Sequence, residues 1–203
     1  MTSWLRALLN VMVRVPAYYA LLAARPRLEA WLAEMPIDAR LDEADPDGLS
    51  LLGELFAVID DGEVPGVRAT TLAKIMHRKR PSFVPLYDRY VWHTYVGAPD
   101  ARIVRSGSRR RSWREFMRLL AGEMAEDLRR ERLWLSEVSS LATGPVPITA
   151  LRALDIVAWQ AGRILAAETG AATAPGIDDD DVHQEQGEGD HGAAPLADLD
   201  PRA

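Results

Sequence analysis

Apolar side chains recur at helical spacing along almost all of residues 1–170. Trp4, Leu5, Leu8, Leu9 and Met12 form one such set, and Leu28, Trp31, Leu32 and Met35 form another behind Pro26, a residue suited to a first helical turn. Asp45-Pro46 opens a third, whose stripe is Leu49, Leu52, Phe56 and Ile59. Leu72, Ala73 and Met76 predict a helix from about Arg68. Ser112-Trp113-Arg114-Glu115 has the spacing of a capping box, with Trp113, Phe116, Met117, Leu120 and Met124 on one face behind it. After the Gly144-Pro145-Val146-Pro147 breaker, Thr149 is placed to cap a last helix through Leu151, Leu154, Val157 and Ile164. No run alternates apolar and polar residues between hairpin turns, and no repeat occurs. The expected class is all-α, a single compact domain of about seven helices.

That pattern stops at residue 170. Residues 171–203 hold many small residues, few apolar ones and the run Asp178 to Asp181, so burial cannot offset the entropy of ordering them. The expected organisation is a helical domain over 1–170 and a disordered acidic tail over 171–203. His183 and His191 in the tail lie on a segment too unconstrained to preorganise a metal site.

Composition narrows the chemistry. The chain has 203 residues and no cysteine, which removes disulfides, thiolate zinc sites, iron–sulfur clusters and cysteine nucleophiles. Arg6 and Arg14 interrupt the apolar start and no small-residue cleavage site follows, so a soluble cytoplasmic protein without a membrane span is expected. The net charge of −6 hides an asymmetry. Residues 171–203 carry nine carboxylates against Arg202 alone, whereas residues 68–130 carry fifteen Lys or Arg against six acids. A basic middle and an acidic end describe either a solvated surface with a solubilising tail or a polyanion-binding face.

One stretch concentrates the candidate chemistry: VPGVRATTLAKIMHRKRPSFVPLYDRYVWH, residues Val64 to His93. Pro65-Gly66 makes a tight turn in which Gly66 takes positive φ, and the helix that follows presents amide groups and a positive dipole end suited to phosphate. Lys74, Arg78, Lys79 and Arg80 come next, Pro81 stops the helix, and Pro85 constrains the approach to Asp88. Asp88 is either a helix N-cap, bonding the amide of Tyr90 or Val91, or a catalytic carboxylate; the two roles are compatible. Trp92 is the aromatic placed to stack on a base, and Arg109, Arg110 and Arg111 form a second basic cluster.

Pro65-Gly66-Val67 followed by Asp88-Arg89-Tyr90-Val91 resembles the helix-hairpin-helix DNA glycosylases, which carry a Pro-Gly-Val-Gly hairpin, a helix and then Asp-x-x-Val. The resemblance implies a helix-hairpin-helix-like unit over residues 49–96. It also implies DNA contacts from Gly66, Val67, Arg68 and the basic residues, and Asp88 as the carboxylate that stabilises a sugar cation while a flipped base departs. Arg68 stands where the second hairpin glycine would be, and Thr70 stands where bifunctional members carry a Schiff-base lysine, so any activity would be monofunctional base excision without lyase chemistry. The phrase HRKRP…P…D…V, with the late segment Leu151 to Trp159, is also similar to an uncharacterised bacterial family. The competing expectation is a catalytically inactive interaction module on the same fold, using Arg109 to Arg111 for an acidic protein.

The remaining polar residues read as structural. His77 and His93 lack partners at metal-ligand spacing and are expected to be partly buried and hydrogen-bonded, so neither metal nor cofactor is expected. Asp155, amid apolar residues, is expected to be buried with an arginine such as Arg152. No Walker loop, dinucleotide fingerprint or Ser-His-Asp motif occurs.

Overall fold

The computed structural model describes residues 15–106, 111–142, 144 and 147–170. The apolar set at 4–12, Arg109, Arg110 and the tail 171–203 lie outside the described residues. Within them the chain forms seven α-helices and no strand: α1 (Val15–Glu34), α2 (Pro46–Asp60), α3 (Ala69–His77), α4 (Arg89–Trp92), α5 (Trp113–Arg130), α6 (Arg132–Ser140) and α7 (Ala150–Glu168). A 3-10 turn at Leu41–Glu43 precedes α2, and a π-helical turn at His93–Gly97 continues α4.

Pro26 does not start a helix, contrary to the expectation; the chain is already helical at Val15 and α1 carries Pro26 in its interior. Proline there removes the amide that would bond the Leu22 carbonyl. The stripe Ala17, Leu21, Ala24, Leu28, Leu32 and Met35 is nonetheless continuously buried, and Pro26 sits on the exposed side. Burial along about five turns outweighs one lost hydrogen bond.

α2 lies at the centre, against α1, α3 and, most extensively, α5. Its start matches the sequence reading, because the Asp45 side chain accepts the Gly48 amide at 2.8 Å. It buries more than one stripe: Leu52, Gly53, Leu55, Phe56, Ala57 and Val58 are all inside, with Leu49 and Ile59 half-buried. Gly53 permits the close crossing, since a Cβ there would stand 2.8 Å from the Arg114 carbonyl oxygen of α5.

α5 is capped from two sides. Ser112 Oγ accepts the Glu115 amide at 3.1 Å, as the capping-box spacing predicts. Glu115 meets Arg111 at 3.5 Å. The amides of Trp113 and Arg114 donate to the Asp60 carboxylate at 2.8 and 2.9 Å, so the end of α2 fastens the start of α5.

α7 is capped by Thr149, whose hydroxyl accepts the Arg152 amide and donates to the Pro81 carbonyl, each at 3.0 Å. Its inner face is Leu151, Leu154, Asp155, Ala158, Gly162 and Ala166; Val157 is only half-buried and Ile164 is exposed, which corrects the predicted stripe. Small residues form this face because α4 crosses it at backbone contact. A Cβ at Gly162 would overlap the Tyr90 carbonyl, and Thr94 Oγ1 donates to the Ala158 carbonyl at 2.6 Å.

Candidate nucleic-acid interface

The Pro65-Gly66 turn forms as its residue types require. The Val67 amide donates to the Val64 carbonyl at 3.0 Å and Gly66 has φ +74°, a left-handed geometry in which an L side chain is strained. Val64 and Val67 both point into the core. Val67 therefore anchors the turn, and its expected DNA contact is corrected: the side chain is buried and the amide is already bonded. Arg68 is the extended residue in front of α3, half-buried, and its side chain makes no cap.

The basic cluster behind α3 divides by environment. Lys74 and Arg78 are exposed, while Lys79 is half-buried and its ammonium is pushed down by burial, with Glu29 opposing. Arg80 turns inward. Its guanidinium donates to the carbonyls of Met35 and Lys79, each at 2.9 Å, and to that of Leu32, closing the C-terminal end of α1. Arg80 is a helix cap reached across the chain, and its donors face carbonyls instead of the solvent a phosphate would approach from. Of the second cluster, Arg111 is held by Glu115 and by the Val104 carbonyl at 3.1 Å.

The segment from Pro81 to Asp88 is pinned on both sides. His77 Nδ1 donates to the Val84 carbonyl at 2.7 Å, and burial pushes the His77 imidazole below its ordinary value, so the ring is a neutral strut. Tyr87 stacks edge-on against Trp113 and Phe116 of α5, at 5.5 and 5.3 Å between centroids. Asp88 then starts α4, and its Oδ1 accepts the amides of both Tyr90 and Val91 at 2.9 and 3.1 Å. The N-cap reading of Asp88 holds, and Oδ2 takes no part in those two bonds.

Asp155 lies beneath this junction. It is 2 % exposed, its Oδ1 accepts the Leu86 amide at 3.2 Å, and its Oδ2 is buried without a hydrogen-bond partner. The expected arginine is present only as a nearby charge. Burial pushes the Asp155 carboxyl well above the usual range, against Arg152 and the Leu86 amide, with Asp88 adding to the rise.

Beyond Asp88 the structure assembles residues that sequence reasoning missed. The Arg89 guanidinium lies 4.6 Å from the Tyr90 ring centroid and donates to the Tyr90 hydroxyl at 2.6 Å. Tyr90 meets Trp159 edge-on at 5.3 Å, and Arg163 lies over Trp159 at 5.5 Å. On the other side of α4, Trp92 meets His93 at 5.3 Å, and Arg105 lies over Trp92 at 5.0 Å. Trp92 is thus half-buried with a guanidinium already on one face. Burial pushes the His93 imidazole below its ordinary value, and the nearby charges of Arg105 and Arg89 add to this. The i, i+4 pairs Arg89/His93 and Trp159/Arg163 were visible in the sequence as helical neighbours, but nothing local relates Arg105 or α7 to α4.

A cavity of about 620 Å³ lies elsewhere, between the second half of α1 and the start of α2. Trp31, Met35, Leu51 and Phe83 line it with Glu34 and Asp47, and none of the site residues expected from sequence does. Its acids, Glu34, Asp45 and Asp47, outnumber Arg27 and suit it poorly to an anion. Among the described residues no group of three or more His, Asp or Glu is placed to hold a metal, and no helix is long and apolar enough to cross a membrane.

Comparison with curated proteins and with solved structures finds no match to the chain. A family model does match, over residues 6–162, a span that includes the Gly66 turn, the Asp88 cap and the close α4–α7 crossing. The chain belongs to that family, the family of unknown function DUF6308.

Proposed function

We propose that this chain binds duplex DNA through the Gly66 turn and the outer basic residues of α3, on a fold related to the helix-hairpin-helix glycosylases. The observation that carries the reading is the left-handed glycine turn leading directly into α3, whose far end exposes Lys74 and Arg78. Monofunctional base excision is the extension of this reading. Both cap bonds fall on Asp88 Oδ1, so Oδ2 is the atom that would face an oxocarbenium-like sugar, while the cap fixes the carboxylate's direction.

The test is binding of the full chain to a short duplex carrying an abasic-site analogue, against the intact duplex, over a range of salt. Lesion preference with a steep salt slope supports the reading, and the triple variant Lys74→Gln, Arg78→Gln, Lys79→Gln should flatten that slope. No binding at low salt overturns it. Base release that survives in Asp88→Asn would overturn the catalytic extension alone.

A second reading, an inactive protein-interaction module, is favoured by α6. Leu133 of α6 and Leu141 just behind it are 88 % and 71 % exposed, and Trp134 is also exposed.

A further inference from the structure

The row Arg163, Trp159, Tyr90, Arg89, His93, Trp92, Arg105 is unlike the rest of the surface. Several other arginines meet carboxylates or carbonyls: Arg27 bonds Asp61 and Glu63, Arg40 bonds Asp42 and Glu43, Arg102 meets Glu123, Glu126 and Asp127, and Arg80 and Arg129 bond backbone carbonyls. Among the described residues, Arg89, Arg105 and Arg163 form no ion pair and lie on aromatic rings instead. A guanidinium over a ring can be held through its apolar face with N–H groups left for a ligand, as at Arg105 and Arg163, whereas Arg89 already donates to the Tyr90 hydroxyl. Such N–H groups match the oxygens of a phosphate in a bidentate way. Arg105 and Arg163 are exposed, and Trp159 is 37 % exposed, so a ligand can reach both ends of the row.

The row is also held rigidly. Thr94 bonds α7, and Gly162 brings the α7 backbone onto that of α4. The rings of Tyr90 and Trp159, on the two helices that these contacts join, are therefore positioned before any ligand arrives, which reduces the ordering cost of binding.

We propose that this row is a binding surface for single-stranded nucleic acid, distinct from the Gly66 turn, with the guanidiniums on phosphates and the rings stacking on bases. Three arginines that lie over aromatic rings and, among the described residues, meet no carboxylate fit a ligand that carries both anions and planar faces. A duplex hides its base faces, and an acidic peptide has no rings to stack, so the unpaired strand is the occupant that uses both halves of the row.

The experiment is fluorescence anisotropy of the full chain with a labelled oligothymidylate of about twenty nucleotides, over a salt series. The double variant Arg105→Gln, Arg163→Gln should weaken binding about tenfold and lower the salt slope by about 1.4, as the loss of two single-strand phosphate contacts requires. Trp159→Leu keeps an apolar contact with Tyr90 but removes the ring, so it should weaken binding without changing the slope. Circular dichroism and urea unfolding of each variant check that the fold is kept. Absence of binding by the wild-type chain at low salt overturns the proposal. So does equal affinity for polyglutamate, which would mark a general polyanion surface. If the double variant binds as wild type while the Lys74, Arg78, Lys79 triple variant does not, the strand sits on α3, and this inference fails while duplex binding through the turn stands.

Discussion

Two basic regions of this protein contrast in how they are built. The first is contiguous in sequence, Arg78 to Arg80 with Lys74 one turn earlier, and part of it is structural: Arg80 closes α1 and Lys79 is half-buried. The second is dispersed over Arg89, Arg105 and Arg163, and its cations meet rings instead of carboxylates or carbonyls. A run of basic residues therefore overstates the charge offered to a ligand, and scattered arginines understate it. What decides is the partner each guanidinium finds when helices distant in sequence meet.

The contrast can be broken most severely at Gly162. Gly162→Val would drive its side chain into the Tyr90 carbonyl and crowd Thr94 Oγ1, separating α4 from α7. A loss of about 3 kcal/mol is expected from overpacking at such a contact, read by urea unfolding, and the aromatic row should disassemble with it. Arg80→Ala tests the inward role of the contiguous cluster. It leaves the end of α1 without its donors and should cost about 2 kcal/mol, while duplex affinity changes little once folding is allowed for. Arg89, Arg105 and Arg163 should behave oppositely: neutralising Arg105 or Arg163 is expected to shift stability by less than about 0.5 kcal/mol and to act on binding instead.

Asp88 and Asp155 sharpen the junction between the two regions. Asp88→Ala removes a carboxylate that holds two amides and should cost about 1 kcal/mol, whereas Asp88→Asn keeps an acceptor and should cost less. Asp155 carries a pH signature. Its folded value lies above its unfolded one, so the native state holds the proton more tightly, and this contribution to stability is complete below the unfolded value and lost as pH rises through the folded one. Asp88, Arg152 and Tyr95 are the charged or titratable groups whose charges couple to it. Unfolding midpoints measured from acid to neutral pH should fall more steeply in the wild type than in Asp155→Asn. A parallel pair of curves would mean that Asp155 ionises inside the fold without cost.

Much of the local structure was legible in the chain. Asp45, Asp88, Ser112 and Thr149 each cap the helix that their positions implied, and Gly66 takes the left-handed turn after Pro65, because caps and turns are settled by residues within three or four positions of one another. The aspartate of the candidate site was legible for the same reason. The all-α class followed from the 3.6-residue period. Signals that depend on long-range burial misled: Pro26 read as a start although α1 buries its stripe straight past it, and Ile164 read as core although Gly162 and Ala166 form the contact.

By itself the sequence determined the helix starts capped by Asp45, Asp88, Ser112 and Thr149 and the chain reversal at Gly66, since those choices are made by short-range hydrogen bonds and backbone sterics. Only the tertiary structure decided what the charged side chains do. Arg80 reaches carbonyls of α1, Asp60 reaches amides of α5, and Arg105 reaches the ring of Trp92, because a long side chain's partner is set by which helices cross beside it. Those crossings depend on close approach at Gly53 and Gly162, which is a property of two surfaces meeting and is written in neither helix alone.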